Sequence, residues 1–289
     1  MNPSPYLNFG LQMKSSNIPK ITLALVVLWF LILTSIAAQP LNSIPKANSE
    51  IKSQIANARY IYQNHHKESI NLDGSIDILE KIIDQDPHNL EAHLLLSRVY
   101  LTYGHTEATN KDQKISLFKN GMEIGKKATE LAPDNPDAHF IYVANMASLG
   151  KEKGILKSLF IVRKIRNEVE LILKLDPNHV EGTAMNGVLF YSLPAFMGGD
   201  IYISQVYLRR AIMLDPHLTT TKIYLAKNLM KQEKYDEAKK TLQEVINEKK
   251  PTLYSDWYFN RETARKMIER IEKKQSRSAR SYISRVEAW

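Results

Sequence analysis

The sequence predicts an all-α protein, a right-handed helical solenoid of about five helix pairs with a C-terminal capping helix. Two observations carry this expectation. Asp86-Pro87, Ala132-Pro133, Asp176-Pro177, Asp215-Pro216 and Lys250-Pro251 each close an apolar stretch, with Pro-to-Pro intervals of 46, 44, 39 and 35 residues. Proline lacks the amide donor and clashes with the preceding turn, so each one ends a two-helix unit and opens the next. The composition agrees: only 11 Gly and 12 Pro stand among 289 residues, and strand-like alternation is scarce. Stacked units of this kind cannot fold singly and build extended binding surfaces.

Taken in order, residues 1–40 read as a signal peptide or an N-terminal membrane anchor. Ile21 to Ala38 form an uncharged apolar run of 18 residues, at the lower edge of what spans a bilayer. Lys14 and Lys20 precede it, and the next cation is Lys46, which puts the rest of the chain outside the cytoplasm. Ser35-Ile36-Ala37 supplies small residues at the spacing a signal peptidase reads, and translation from Met13 would give a leader of ordinary proportions. Cleaved signal and retained anchor both remain open. The expected setting is therefore periplasmic, or membrane-anchored with the solenoid outside the cytoplasm. Residues 41–47 read as a linker, 48–274 as the solenoid and 275–289 as a basic flexible tail.

The solenoid's units follow from their small and large residues. Counting from Thr219, Leu225, Ala226 and Leu229 fall at positions 7, 8 and 11, and Tyr235, Ala238, Leu242 and Val245 at 17, 20, 24 and 27. Positions 8, 20 and 27 must be small because two antiparallel helices approach most closely there; this is similar to the tetratricopeptide (TPR) pattern. The unit 90–133 repeats it with Leu96, Ser97, Tyr100, Phe118, Gly121 and Ala128. The unit 180–216 does so with Gly187, Phe190, Ile201, Ser204, Leu208 and Ala211. The unit 136–177 departs from it, with Val143 and Ile165 where small residues belong. The opening unit keeps Leu79, Ile82 and Asp86-Pro87, with helices expected from Ser49 to His66 and from Ser75 to Asp84. A capping helix is expected from Asn260, as its N-cap, to Lys274.

Three units exceed the standard length, with extra residues at Gly104–Lys111, Leu149–Gly154 and Leu193–Asp200. Such insertions project from one edge of a stack, as a functional rim or as simple tolerance. The third is Leu193-Pro194-Ala195-Phe196-Met197-Gly198-Gly199-Asp200. It reads either as a stop–turn–start device with Asp200 capping the next helix, or as a backbone nest with an apolar lip of Phe196 and Met197. This turn, with Asp137-Ala138-His139-Phe140 and Asp215-Pro216, resembles the TRAP-transporter-associated TPR proteins, the periplasmic T component. The resemblance covers about residues 75–255. It implies an exported helical scaffold that partners a periplasmic solute-binding protein and handles apolar ligands. The family often carries a lipid-anchoring Cys, and this chain has no cysteine, which also excludes disulfides.

The TPR likeness implies a concave face lined by positions 2, 5, 9 and 12 of each first helix. The expected partner- and ligand-binding residues are Leu94, Arg98 and Leu101; Phe140 and Ala144; Val188 and Tyr191; and Ile223 and Lys227, joined by Phe196, Met197, Gly198, Gly199 and Asp200 of the third insertion. The floor is mainly apolar, which suits an apolar ligand or an amphipathic partner helix better than a peptide carboxylate.

His93 and His139 share repeat position 4 and read as packing histidines, because no Cys or convergent carboxylate pair joins them. His65-His66 reads as a surface doublet, and His88, His179 and His217 as turn residues. No Gly-x-Ser-x-Gly, His-Glu-x-x-His, phosphate loop or dinucleotide fingerprint occurs. No catalytic residue, metal or cofactor is expected, and the chain does not read as an enzyme. Nine Lys and Arg against four Asp and Glu from Arg261 to Trp289 make the end basic. That charge suits a solvated terminal helix or contact with anionic lipid.

The expected partners are a protein, in particular a periplasmic solute-binding protein, and an apolar small molecule. A membrane is added through residues 21–38 if that segment is uncleaved, and a second copy of the chain is a further option. No nucleic acid is expected. The alternative function is a membrane-tethered scaffold for assembly of an envelope or secretion complex. A closed apolar pocket favours the first function and an open polar groove the second.

Overall fold

The structure is a computed structural model that describes residues 43–67, 70–154 and 159–286. Among the described residues there are eleven α-helices and no strand. They are α1 Ser43–Asn64, α2 Asp73–Gln85, α3 Leu90–Thr106, α4 Lys111–Leu131, α5 Pro136–Lys153 and α6 Leu159–Leu175. Then come α7 Val180–Ser192, α8 Ile201–Leu214, α9 Thr219–Lys231, α10 Tyr235–Ile246 and α11 Tyr254–Val286. The chain divides into two compact units, Met1–Glu50 and Ile51–Trp289, and the helical stack belongs to the second. The signal or anchor segment and the Met13 start lie outside the described residues, as do residues 41 and 42 of the expected linker; its residues 43–47 are not a linker but the first residues of α1. No described helix is long and apolar enough to cross a membrane.

One turn, used four times, sets the architecture. After α2, α4, α6 and α8 the chain closes on Asp86, Ala132, Asp176 and Asp215, each followed by proline. The residue three further on donates its amide back to that carbonyl, at 3.0 Å for Asn89 and 3.1 Å for Asn135 and His179. Where the first residue is Asp, its carboxylate accepts from the amide two residues on, as from Asn178 at 2.9 Å and His217 at 2.8 Å. Asn89 and Asn135 then cap α3 and α5 by accepting from Ala92 and Ala138. The proline stops one helix and the cap starts the next within four residues.

From α2 onward each helix packs on the next, while α3, α5, α7, α9 and α11 also touch along an inner row. Close approach requires small residues where the sequence placed them. A side chain at Gly121 would lie 2.2 Å from the Asn145 carboxamide, and Ser97 donates to the Gly121 carbonyl at 2.7 Å. Around these contacts Leu96, Phe118, Leu208, Leu229 and Leu242 are fully buried, and their burial supplies most of the driving force.

Several sequence expectations are corrected. The extra residues at Leu149–Gly154 are helix up to Lys153, and in Gly104–Lys111 a short connection remains only at 107–110. They lengthen α3 to Thr106 and α5 to Lys153, because those stretches favour continued helix until Gly154, at φ +87°, ends α5. The capping helix starts at Tyr254, so Asn260 is not its N-cap. The Asn260 carboxamide instead donates to the hydroxyls of Thr219 and Thr220, each at 3.0 Å. The helix passes Lys274 to Val286, because no Gly or Pro interrupts 254–286; residues 275–286 are helix rather than a flexible tail. His65 is buried, not a surface residue, stacked 5.6 Å from the Phe259 ring of α11.

Candidate functional site

The inner row frames a cavity of about 750 Å³. Residues three or four apart share one helix face, so each inner helix contributes a short stripe. Leu101 comes from α3, Phe140, Ala144 and Ala147 from α5, and Ala184, Val188 and Tyr191 from α7. Ile161, Val162 and Ile165 of α6 complete the apolar wall. Two residues close the cavity from the ends of the stack: Tyr62 on α1 and Asp256 on α11. They meet because the start of α11 lies against the end of α1. His66 is 5.0 Å from the Tyr254 ring and 5.4 Å from that of Tyr258, and Leu253 packs against the first core cluster.

The inner helices run parallel, so their N-termini gather at one end of the cavity and their C-termini at the other. Glu181 and Tyr191 mark the two ends on α7, ten residues apart, or about 15 Å along the axis. At the N-terminal end Arg98 holds Glu181 with two bonds, of 2.6 and 3.3 Å, and its guanidinium stands 5.5 Å from the Phe140 ring centre. Burial acts against the Arg98 charge, but Glu181 overcomes it and raises the pKa. Asp256 stands in the field of the same pair and accepts from Thr220 at 3.5 Å. Burial pushes its carboxyl up to about 6, Arg98 opposes this and Glu181 adds to it. Burial also pushes the Tyr62 phenol up to about 12.

Asp137, His179 and Glu181 bring three potential metal-ligand atoms within 4.8 Å of one another. Their hydrogen bonds oppose a metal. His179 caps α7 by accepting the Gly182 amide on Nδ1 at 2.9 Å, so Nε2 carries the proton and donates to Asp137 at 3.1 Å. Both Glu181 oxygens are held by Arg98. The hydrogen bond from His179, ahead of burial, which opposes it, keeps the Asp137 carboxyl below the usual range. With Arg98 the cluster ties the starts of α5 and α7 to the middle of α3.

The C-terminal end has the opposite character. His105 of α3 bonds Ser148 of α5 at 3.1 Å, and Lys151 and Lys227 stand close enough to influence each other. Burial, reinforced by Lys151 and Lys114, pushes His105 down to about 4. Burial lowers Lys227 as well, again reinforced by Lys151. The Lys227 ammonium lies 4.7 Å from the Tyr224 ring centre.

Of the residues expected from the sequence, Arg98, Leu101, Phe140, Ala144, Val188, Tyr191 and Lys227 line this one cavity. Leu94 and Ile223 do not; Ile223 is buried in the core formed with α10 and α11. Phe196, Met197, Gly198, Gly199 and Asp200 also lie apart from it. They form a 3₁₀ turn, Ala195–Met197, pinned by Arg166 Nη2, which donates to the Met197 and Gly198 carbonyls at 2.8 and 3.3 Å. Gly198 takes φ +80° there, and Asp200 caps α8 by accepting from Tyr202 and Ile203. Phe196 is 80% exposed and points away from the cavity. His93 and His139 bond within the stack, His139 to the Pro133 carbonyl and to Glu168.

Sequence reasoning missed Tyr62, Lys151, Asp256 and the α6 wall. The last had a visible signal: Ile165 replaces the small residue at the close-approach position of the one degenerate unit.

Known proteins are similar to this chain over part of its sequence and in its fold. Residues 54–195, just under half of the chain, match the family model described as Regulator of microtubule dynamics protein 1-3. No curated protein matches the chain. A thermophilic TPR protein of Thermus thermophilus, TTC0263, is similar in structure, with TM-score 0.57 and 14% identity over 74% of this chain and 98% of that one. MamA (MSR-1 C2) gives TM-score 0.40 and 14% identity over 76% and 94%. YrrB, titled a TPR protein with an unusual peptide-binding site, gives 0.39 and 13% over 73% and 92%. The chain is a TPR-like helical solenoid.

Proposed function

We propose that this chain is an extracytoplasmic TPR binding scaffold that shelters an apolar small molecule in its concave groove and serves as adaptor to a solute-binding protein. The observation that carries this reading is the cavity of about 750 Å³, within the size range of pockets that enclose one small ligand. Its walls are apolar over the three turns between the charged ends, and α1 and α11 approach each other over one side of it. Export rests on the cations before the apolar run 21–38 and their absence until Lys46. The adaptor role rests on the 193–200 turn, where Phe196 stands exposed beside the stack as a contact for a protein partner.

A second reading, a membrane-tethered assembly scaffold, is favoured by the outer face of α8. There Tyr202, Val206 and Met213 are 67, 66 and 83% exposed, an unusual set for a monomer's surface.

Native mass spectrometry of the full chain purified from envelope, after crosslinking, tests both. Extra mass from an apolar molecule that is lost in Ala184→Phe, together with a crosslinked solute-binding protein, supports the adaptor. An empty chain crosslinked to envelope-assembly proteins overturns it in favour of the scaffold.

A further inference from the structure

The groove carries charges of opposite sign at its two ends, and this deepens the ligand-sheltering reading, on which it rests. Among the described residues some lysines are ion-paired, as Lys222 is with Glu244 and Glu248, Lys126 and Lys127 with Glu130, and Lys266 with Glu262. Lys151 and Lys227 are set apart by their place. Both line the cavity, and among the described residues neither ammonium lies within ion-pair distance of a carboxylate.

The cavity's two acidic linings, Glu181 and Asp256, belong to the opposite end. A helix C-terminus attracts cations, which accounts for Lys151 in the last turn of α5. It does not account for Lys227, which lies four residues before the end of α9 and is half-buried. A desolvated ammonium beside a second one is costly until an opposite charge arrives. The downward push on Lys227 from burial and from Lys151 has the same origin. At the other end the lining cation among the described residues, Arg98, is already bound by Glu181, and Asp256 adds a carboxylate that would repel an anion.

We propose that the groove binds a single-chain amphiphile with an anionic head, the head between Lys151 and Lys227 and the chain along Val188 and Ala144 toward Phe140. The cavity size supports one alkyl chain rather than two. Carboxylate and phosphate heads share the required charge, and the test separates them.

The full chain, stripped of bound ligand, is titrated calorimetrically with four probes of equal chain length: dodecanoate, dodecyl phosphate, dodecanol and dodecyltrimethylammonium. The anionic probes are expected to bind most tightly, and the tighter of the two identifies the head. The double variant Lys151→Gln, Lys227→Gln should weaken them at least about tenfold, weaken dodecanol far less, and unfold without ligand at a thermal midpoint no lower than that of wild type. Equal or tighter binding of the ammonium probe overturns the proposal, as does an unaffected dodecanoate affinity in the double variant; either result leaves the apolar shelter standing. Failure of all four probes, dodecanol included, overturns the shelter as well.

Discussion

Replacing Asp256 by Asn is expected to stabilise the protein at neutral pH. The carboxyl sits at the closed end of the groove, where burial pushes its pKa from 3.8 to about 6. A group whose folded pKa lies above its unfolded value favours the folded state when protonated. Its contribution is therefore fully present below about pH 4 and is lost as the pH rises through about 6. A shift of roughly two units corresponds to about 3 kcal/mol at most, at about 1.4 kcal/mol per unit. Asp256 is not fully enclosed, so about 1–3 kcal/mol is the expected range at pH 7.5. Asn keeps the acceptor for Thr220 and removes the charge. Urea unfolding of wild type and variant, followed by circular dichroism from pH 4 to 8, measures the difference. The variant should be more stable at pH 7.5 and indistinguishable near pH 4. A variant less stable at pH 7.5 would refute the reasoning, because the attraction of Arg98 for Asp256 would then outweigh the burial cost. A difference independent of pH would refute it too.

Three further outcomes follow from the same structure. Arg98→Met strands Glu181 at the groove end and should cost about 1–3 kcal/mol, less than a fully enclosed pair because the two side chains are 30 and 31% exposed. Adding Glu181→Gln should restore part of the loss in a double-mutant cycle. Phe118→Ala empties a fully buried ring site between α3 and α4 and should cost about 3–5 kcal/mol in urea unfolding. Asp200→Ala removes the acceptor of two amides at the start of α8 and should cost about 1 kcal/mol, with faster hydrogen exchange confined to that helix turn.

The fold was legible because its signals are local. A proline after each second helix, a cap three residues on and small residues at the close-approach positions are all written within one unit. The inner stripe was legible for the same reason: Phe140, Ala144 and Ala147 share a face by spacing alone. The groove's closure was not, because Tyr62 and Asp256 lie 194 positions apart and meet only through the path of the whole stack. Asn260 misled for a related reason. In sequence it looks like a helix cap, but its partners are Thr219 and Thr220 on another helix. Of the two readings the sequence left open for the 193–200 turn, Asp200 does cap α8, while Phe196 is exposed and does not line the cavity.

The charge polarity of the groove follows from the repeat itself. Every unit sends its first helix in the same direction, so the inner helices add their partial positive ends at one pole and their partial negative ends at the other. Acidic residues in the first turns and a basic one in the last turn are then locally stabilising, Asp137, Glu181 and Asp256 against Lys151, whereas Lys227 stands before the last turn of its helix. At the first pole this charge is internally answered, by Arg98 and by the His179 proton. At the second it is not, and the lysines face the cavity rather than a neighbouring helix. Helix-end electrostatics at Lys151, joined by Lys227, thus leaves one end of an apolar cavity with two lysines that, among the described residues, have no carboxylate within ion-pair distance. On the amphiphile proposal, that asymmetry sets which way round the ligand enters.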